Sequence, residues 1–185
     1  MEPDFHPGGC AIQADDACRR QQPEPVGVRR GAGGDGAILL SVGPEHLHRP
    51  EFFNELSRRF QAPGDFAQAY VIAHEVGHHI QNLEGTLDKA QAAQARSSTA
   101  AGNAVQVGVE LQADCYAGVW AQRSGLLEAG DIEEGMRAAE AIGDDMLTQG
   151  RVSPDNFTHG TSAQRTEALR RGLQGGDPAQ CNYAR

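Results

Sequence analysis

His74-Glu75-Val76-Gly77-His78 decides the reading of this chain: an H-E-x-x-H run inside a stretch that reads as a helix. Two histidines four apart on a helix stand one turn above each other on the same face, so both imidazoles reach a single metal ion. The glutamate between them points to the neighbouring face, where it meets a water activated by the metal rather than the metal itself. Two nitrogen ligands, an open coordination position and a general base are the parts of a zinc hydrolase site.

The flanking residues predict the helix. Pro63-Gly64 ends the preceding segment, Asp65 is read as N-cap with Gln68 completing a capping box, and Gly85 is the stop. Phe66, Ala69, Tyr70, Ala73, Val76, Gly77 and Ile80 supply an apolar stripe between them. On a polar surface helix the same motif would mean nothing. Here Tyr70-Val71-Ile72-Ala73 before it and Ile80 after it are uncharged, as a buried metal helix requires. His79 falls on a different face and is read as structural.

A catalytic zinc site needs a third protein ligand. The short-spaced solution fails, because Gln81 and Glu84 stand where a glycine and a third histidine would be required. Glu84 and Asp88 follow too closely, at or past the end of the same helix. The better candidate is Glu110, in Val109-Glu110-Leu111-Gln112-Ala113-Asp114-Cys115, 32 residues after His78 and so able to return on an antiparallel helix. Asp114, one turn later on the same face, is placed to accept the N–H of a ligating histidine, fixing its tautomer. The small and apolar residues from Val105 to Trp120 predict that this second helix is buried, where a carboxylate pair without a cation would be costly.

With both motifs placed, the chain resembles the gluzincins, and more narrowly the bacterial putative neutral zinc metallopeptidase family. The resemblance runs from about Phe52 to Tyr183 and rests on five segments in order: Gly64–His79, Val109–Trp120, Ala141–Asp145, Phe157–Arg165 and Gly176–Asn182. It implies a zincin-like fold and a peptidase activity dependent on Zn2+, with His74, His78 and Glu110 on the metal and Glu75 as base. Thr158-His159, followed by Arg165, is similar to the H-P-x-x-x-x-R element of prenyl-protease-type gluzincins, with Gly160 in place of the proline. A downstream histidine in gluzincins commonly donates to the oxyanion. His159 is the candidate for that role, and a plain loop histidine before a helix capped by Thr161 or Ser162 is the equal alternative.

At 185 residues the chain has room for one domain with a real core. A net charge of −9 argues against nucleic acid or an anionic membrane surface as partner; a peptide or protein substrate is what the resemblance implies. Asp131-Ile132-Glu133-Glu134 reads as the solvated first turn of a helix. The paired acids of Ala141-Ile142-Gly143-Asp144-Asp145 read as structural, with Arg165 a conceivable partner. Four cysteines form neither a disulfide scaffold nor a zinc-finger spacing. Cys115 and Cys181 are the candidate pair, tying the tail to the core; the alternative is a buried free Cys115. A bond there, like the relatives, implies an extracytoplasmic setting, although no signal or membrane-spanning run is visible.

The resemblance implies a membrane-spanning segment at the start of relatives, which this chain does not match. Residues 1–46 are set apart from the metallopeptidase domain at 47–185: Met1–Gly36 is rich in Gly, Arg and Pro and is expected to be disordered. A truncated or frame-shifted start is one account of that composition. Ala37–Val42 is the one candidate strand, and helices are expected at Pro50–Phe60, Leu87–Ala101, Val105–Arg123, Ile132–Leu147 and Ser162–Leu173. The expected class is therefore α+β, predominantly helical. The expected reaction is peptide hydrolysis through a metal-activated water with Glu75 as base; the alternative is a non-catalytic zinc-binding protein whose activity was lost with its altered N-terminus.

Overall fold

The computed structural model describes residues 64–183. The expected N-terminal disorder, the strand at 37–42 and the helix at 50–60 lie outside these residues. The described part is helical, with no strand: α1 (Asp65–Leu83), α2 (Thr86–Gln94), α3 (Thr99–Ser124), α4 (Asp131–Ala141), α5 (Asp144–Thr148) and α6 (Ser162–Gly175). Single 3-10 turns lie before α6 at Pro154–Asn156 and after it at Pro178–Gln180. None of the described helices is long and apolar enough to cross a membrane.

The central helix is α3, against which α6, α1 and α2 pack, while α4 packs on both α1 and α6. Its neighbours come close because the residues between them are small. Ala117 and Ala121 of α3 meet Phe66, Tyr70 and Ala73 of α1, Ala138 and Ala139 of α4, and Leu169 and Leu173 of α6 in one core cluster. At the crossing of α3 and α6, a Cβ on Gly172 would overlap the carbonyl oxygen of Cys115 and lie 2.7 Å from the Val119 nitrogen. A Cβ on Gly118 would overlap the Leu169 carbonyl in turn. These are backbone atoms of packed helices and cannot turn aside. Gly172→Val is therefore expected to destabilise by about 1–3 kcal/mol or more through overpacking. Thermal unfolding reads this directly, and a parental melting temperature would show that the crossing can open.

Several expectations are corrected. The N-cap of α1 is Gly64, with no side-chain cap, so Asp65 and Gln68 form no capping box. The free amide of Phe66 is met instead by Glu134 of α4, whose Oε2 accepts it at 3.2 Å. Glu134 is thus buried rather than part of a solvated first turn. The helix expected at 87–101 breaks after Gln94, because Ser98 caps a new helix by accepting from the Ala101 amide. The helix expected at 132–147 likewise breaks at Ile142-Gly143.

The apolar stripe of α1 is also split. Phe66, Tyr70, Ala73 and Gly77 are buried, but Val76 and Ile80 stand on the outer face with Ile72 and Leu83. His79 is exposed and holds no core position. Burial of α3 begins at Val109; Val105 and Val107 are half-buried, and Trp120 is exposed. These residues are apolar on more than one side, and periodicity alone does not say which side meets a neighbour.

Candidate metal centre

The site forms where α1 crosses α3. Gly77, one residue before His78, lets the helices approach: a Cβ there would stand 3.1 Å from the Ala113 Cα. The crossing brings His74 and His78 of α1 over Glu110 of α3. The Nε2 atoms of the two histidines lie 3.3 Å and 3.6 Å from one oxygen, Glu110 Oε2. Their rings meet edge to face, with centroids 4.6 Å apart. One ligand atom from each residue can be chosen so that all lie within 4.8 Å of one another.

This donor set fits zinc. Bonds of about 2.0–2.1 Å in a tetrahedron put neighbouring ligand atoms about 3.3–3.5 Å apart. Burial pushes the Glu110 carboxyl up, yet the imidazoles of His74 and His78 that face it overcome that and hold it well below the usual carboxylate range.

Asp114 stands one turn beyond Glu110, fully buried. Its Oδ1 accepts from His74 Nδ1 at 2.8 Å, from Tyr70 Oη at 2.5 Å and from Arg165 Nη2 at 2.8 Å. Its Oδ2 accepts from Arg165 Nε at 2.8 Å. Burial alone would raise the Asp114 carboxyl; the Arg165 guanidinium and His74 overcome it and hold the pKa at about 2. Burial likewise opposes a charge on His74, but the Asp114 carboxylate and the hydrogen bonds that His74 donates to Asp114 and Glu110 lift its pKa to about 9. Arg165 therefore belongs to Asp114, and its conceivable pairing with Asp144 or Asp145 is not what forms.

Those two acids have other work. Asp144 gathers the loop before α6: its Oδ2 accepts the amides of Thr158 and His159 at 2.8 Å and 2.7 Å, and its Oδ1 faces His159 Nδ1 at 3.0 Å. Asp145 accepts the Ser162 amide and hydroxyl, each at 2.7 Å. Thr161 caps α6 in a capping box with Gln164. His159 lines the same cleft as His74, Glu75, His78 and Glu110. Its buried Nε2 has no hydrogen-bond partner among the described residues. Glu75 is half-buried there, and burial outweighs the two histidines to raise its pKa.

Cys115 and Cys181 are joined by a disulfide. Two buried side chains that the sequence did not single out as functional complete the surroundings of His78. Gln81 Oε1 stands 2.8 Å from His78 Nδ1, and Gln112 lies behind Gln81. Their one sequence signal is a polar residue on a face that periodicity assigns to the interior.

The uncharacterized protein YpfJ of Escherichia coli (strain K12) is 54% identical over 154 residues, covering 80% of this chain and 51% of that protein. The uncharacterized protein Rv2575 of Mycobacterium tuberculosis (strain ATCC 25618 / H37Rv) is 43% identical over 164 residues, covering 80% of this chain and 54% of that protein. The chain thus spans about half the length of these relatives. No solved structure matches it. Residues 47–184 match the family described as "Putative neutral zinc metallopeptidase", and the chain belongs to that family, which implies Zn2+ as its cofactor.

Proposed function

We propose that this chain is a zinc-dependent peptidase of the gluzincin type, with His74, His78 and Glu110 holding the metal and Glu75 acting as general base. The observation that carries the reading is the convergence of two imidazole nitrogens on the Glu110 carboxylate in a cleft that Glu75 and His159 also line. Zinc, when bound, supplies the charge that brings a water's pKa toward neutrality and polarises a carbonyl. Asp114 and Glu110 orient His74 between them. Glu75, its carboxyl raised by burial, takes the proton of the attacking water and passes it to the leaving amine. His159 faces the Asp144 carboxylate through Nδ1, which holds the ring in the cleft as the candidate group to meet the developing oxyanion through Nε2. Asp144 is thus the positioning residue for His159. The helical domain is read as zincin-like, and the disulfide supports an oxidising, extracytoplasmic setting. The substrate is a peptide or protein.

The test is hydrolysis of unstructured protein such as casein by the purified chain, read as newly formed amino groups. Activity is expected with about one zinc per chain, lost on chelation and restored by zinc; Glu110→Ala should lose both metal and activity. Stoichiometric zinc without any hydrolysis would leave the non-catalytic zinc protein as the correct reading.

A further inference from the structure

His74 and His78 present the same Nε2 atom to Glu110, but opposite devices hold their other nitrogens. Behind His74 stands a carboxylate. Behind His78 stands an uncharged relay in the interior between α1, α3 and the C-terminal tail. Gln81 Oε1 faces His78 Nδ1 at 2.8 Å. Gln81 Nε2 donates to the Val109 carbonyl at 2.8 Å and to Gln112 Oε1 at 2.9 Å. Gln112 Nε2 donates to the Cys181 carbonyl at 2.8 Å. Both glutamines are buried, Gln81 completely.

The direction of this chain is set at its far end. A backbone carbonyl only accepts, so Gln112 must turn its amide nitrogen to Cys181 and its oxygen to Gln81. Gln81 then has acceptors on two sides, Val109 and Gln112, and must give both of its N–H groups to them. That leaves its oxygen for His78. An oxygen facing Nδ1 requires the proton on Nδ1, which leaves the lone pair on Nε2, the atom turned toward Glu110. Reversing either amide would put oxygen against oxygen between buried side chains, at the penalty of a buried unsatisfied pair. The Cys181 carbonyl is in turn held by the disulfide to Cys115, one turn along α3 from Gln112.

We propose that Gln81 and Gln112 are positioning residues for His78: a buried amide relay, anchored on the carbonyls of Val109 and Cys181, that fixes the imidazole with its proton on Nδ1 and its Nε2 lone pair toward the metal. The consequence for affinity rests on the zinc reading above; the tautomer does not. Outer partners of this kind are worth about 10–100-fold in metal affinity. The C-terminal tail, remote from the chemistry, thereby takes part in the metal site.

The experiment compares the parent chain with Gln81→Met and Gln112→Met, which keep side-chain length while removing the amides. Histidine labelled with 15N reports in the zinc-free chain, at mildly alkaline pH, which ring nitrogen of His78 carries the proton. Competition with a chelator reports zinc affinity, and thermal unfolding reports stability. The parent should show His78 protonated on Nδ1. Gln81→Met should lose that preference and bind zinc about 10–100-fold more weakly, and Gln112→Met should show a smaller change of the same kind. A parent with the proton on Nε2 overturns the relay, as does a folded Gln81→Met chain with parental tautomer and affinity. Should Gln81→Met fail to fold, Gln112→Met decides by the same two readouts. A parent that shows the Nδ1 tautomer yet binds no zinc overturns the metal reading and leaves the relay standing.

Discussion

Glu75→Gln is expected to slow peptide hydrolysis by about a hundred- to ten-thousandfold, the usual contribution of a positioned general base, while zinc stays at one per chain. The glutamine keeps the shape of the side chain and its place on α1, between His74 and His78, so binding of metal and substrate should persist. What it cannot do is accept a proton. Glu75 suits the task because burial outweighs its two histidine neighbours and raises its carboxyl, making it a better base than a solvated glutamate. Turnover should fall with KM little changed. A Glu75→Gln chain with parental turnover removes the base assignment, and one that loses its zinc shows the carboxylate to be a ligand instead.

Arg165→Leu carries the largest expected effect on stability. It takes the counter-ion from a carboxylate that is itself fully buried, and breaking a buried pair on one side costs about 3–5 kcal/mol. In a chain of this size that corresponds to a fall in melting temperature of about 6–20 °C. Asp114 would keep only Tyr70 and His74 as donors, so its grip on the His74 tautomer should weaken and zinc affinity fall with it. Arg165→Lys keeps the charge but not the fork that reaches both oxygens of Asp114, and should fall between the two. Calorimetry and zinc competition on the three chains test this order; a parental melting temperature for Arg165→Leu would overturn the account.

The helix that carries His74 and His78 was legible because its parts are local. A spacing of four positions between two histidines fixes a common face, and a carboxylate inside a small-residue helix needs a cation wherever that helix packs. The same logic pointed to Asp114 as the partner of a ligating histidine. Arg165 was visible in the sequence, but its partner was not: Asp144, Asp145 and Asp114 all offered carboxylates, and only the crossing of α3 and α6 at Gly118 and Gly172 chooses Asp114. Glu134 as the group that meets the α1 amide was hidden for the same reason, since a cap supplied from another helix leaves no spacing to read. The glutamine relay was out of reach, because an amide carries no charge to demand a partner and its direction is fixed by carbonyls from two other segments. Val76 and Ile80 misled in the opposite sense. They match the helical period, and their exposed side differs from the buried one only in having no neighbour among the described residues.

The disulfide closes a loop of 66 residues between Cys115 and Cys181, and that loop contains α4, α5, His159 and Arg165. Closing a loop of that length removes about 4 kcal/mol of chain entropy from the unfolded state. It also changes what a cut does. The stretch from Gln149 to Asn156 is exposed throughout, the kind of segment that a protease reaches first. Because it lies inside the covalent ring, cleavage there separates nothing: Arg165 stays on Asp114, and both pieces travel as a single molecule until the sulfur bridge is reduced.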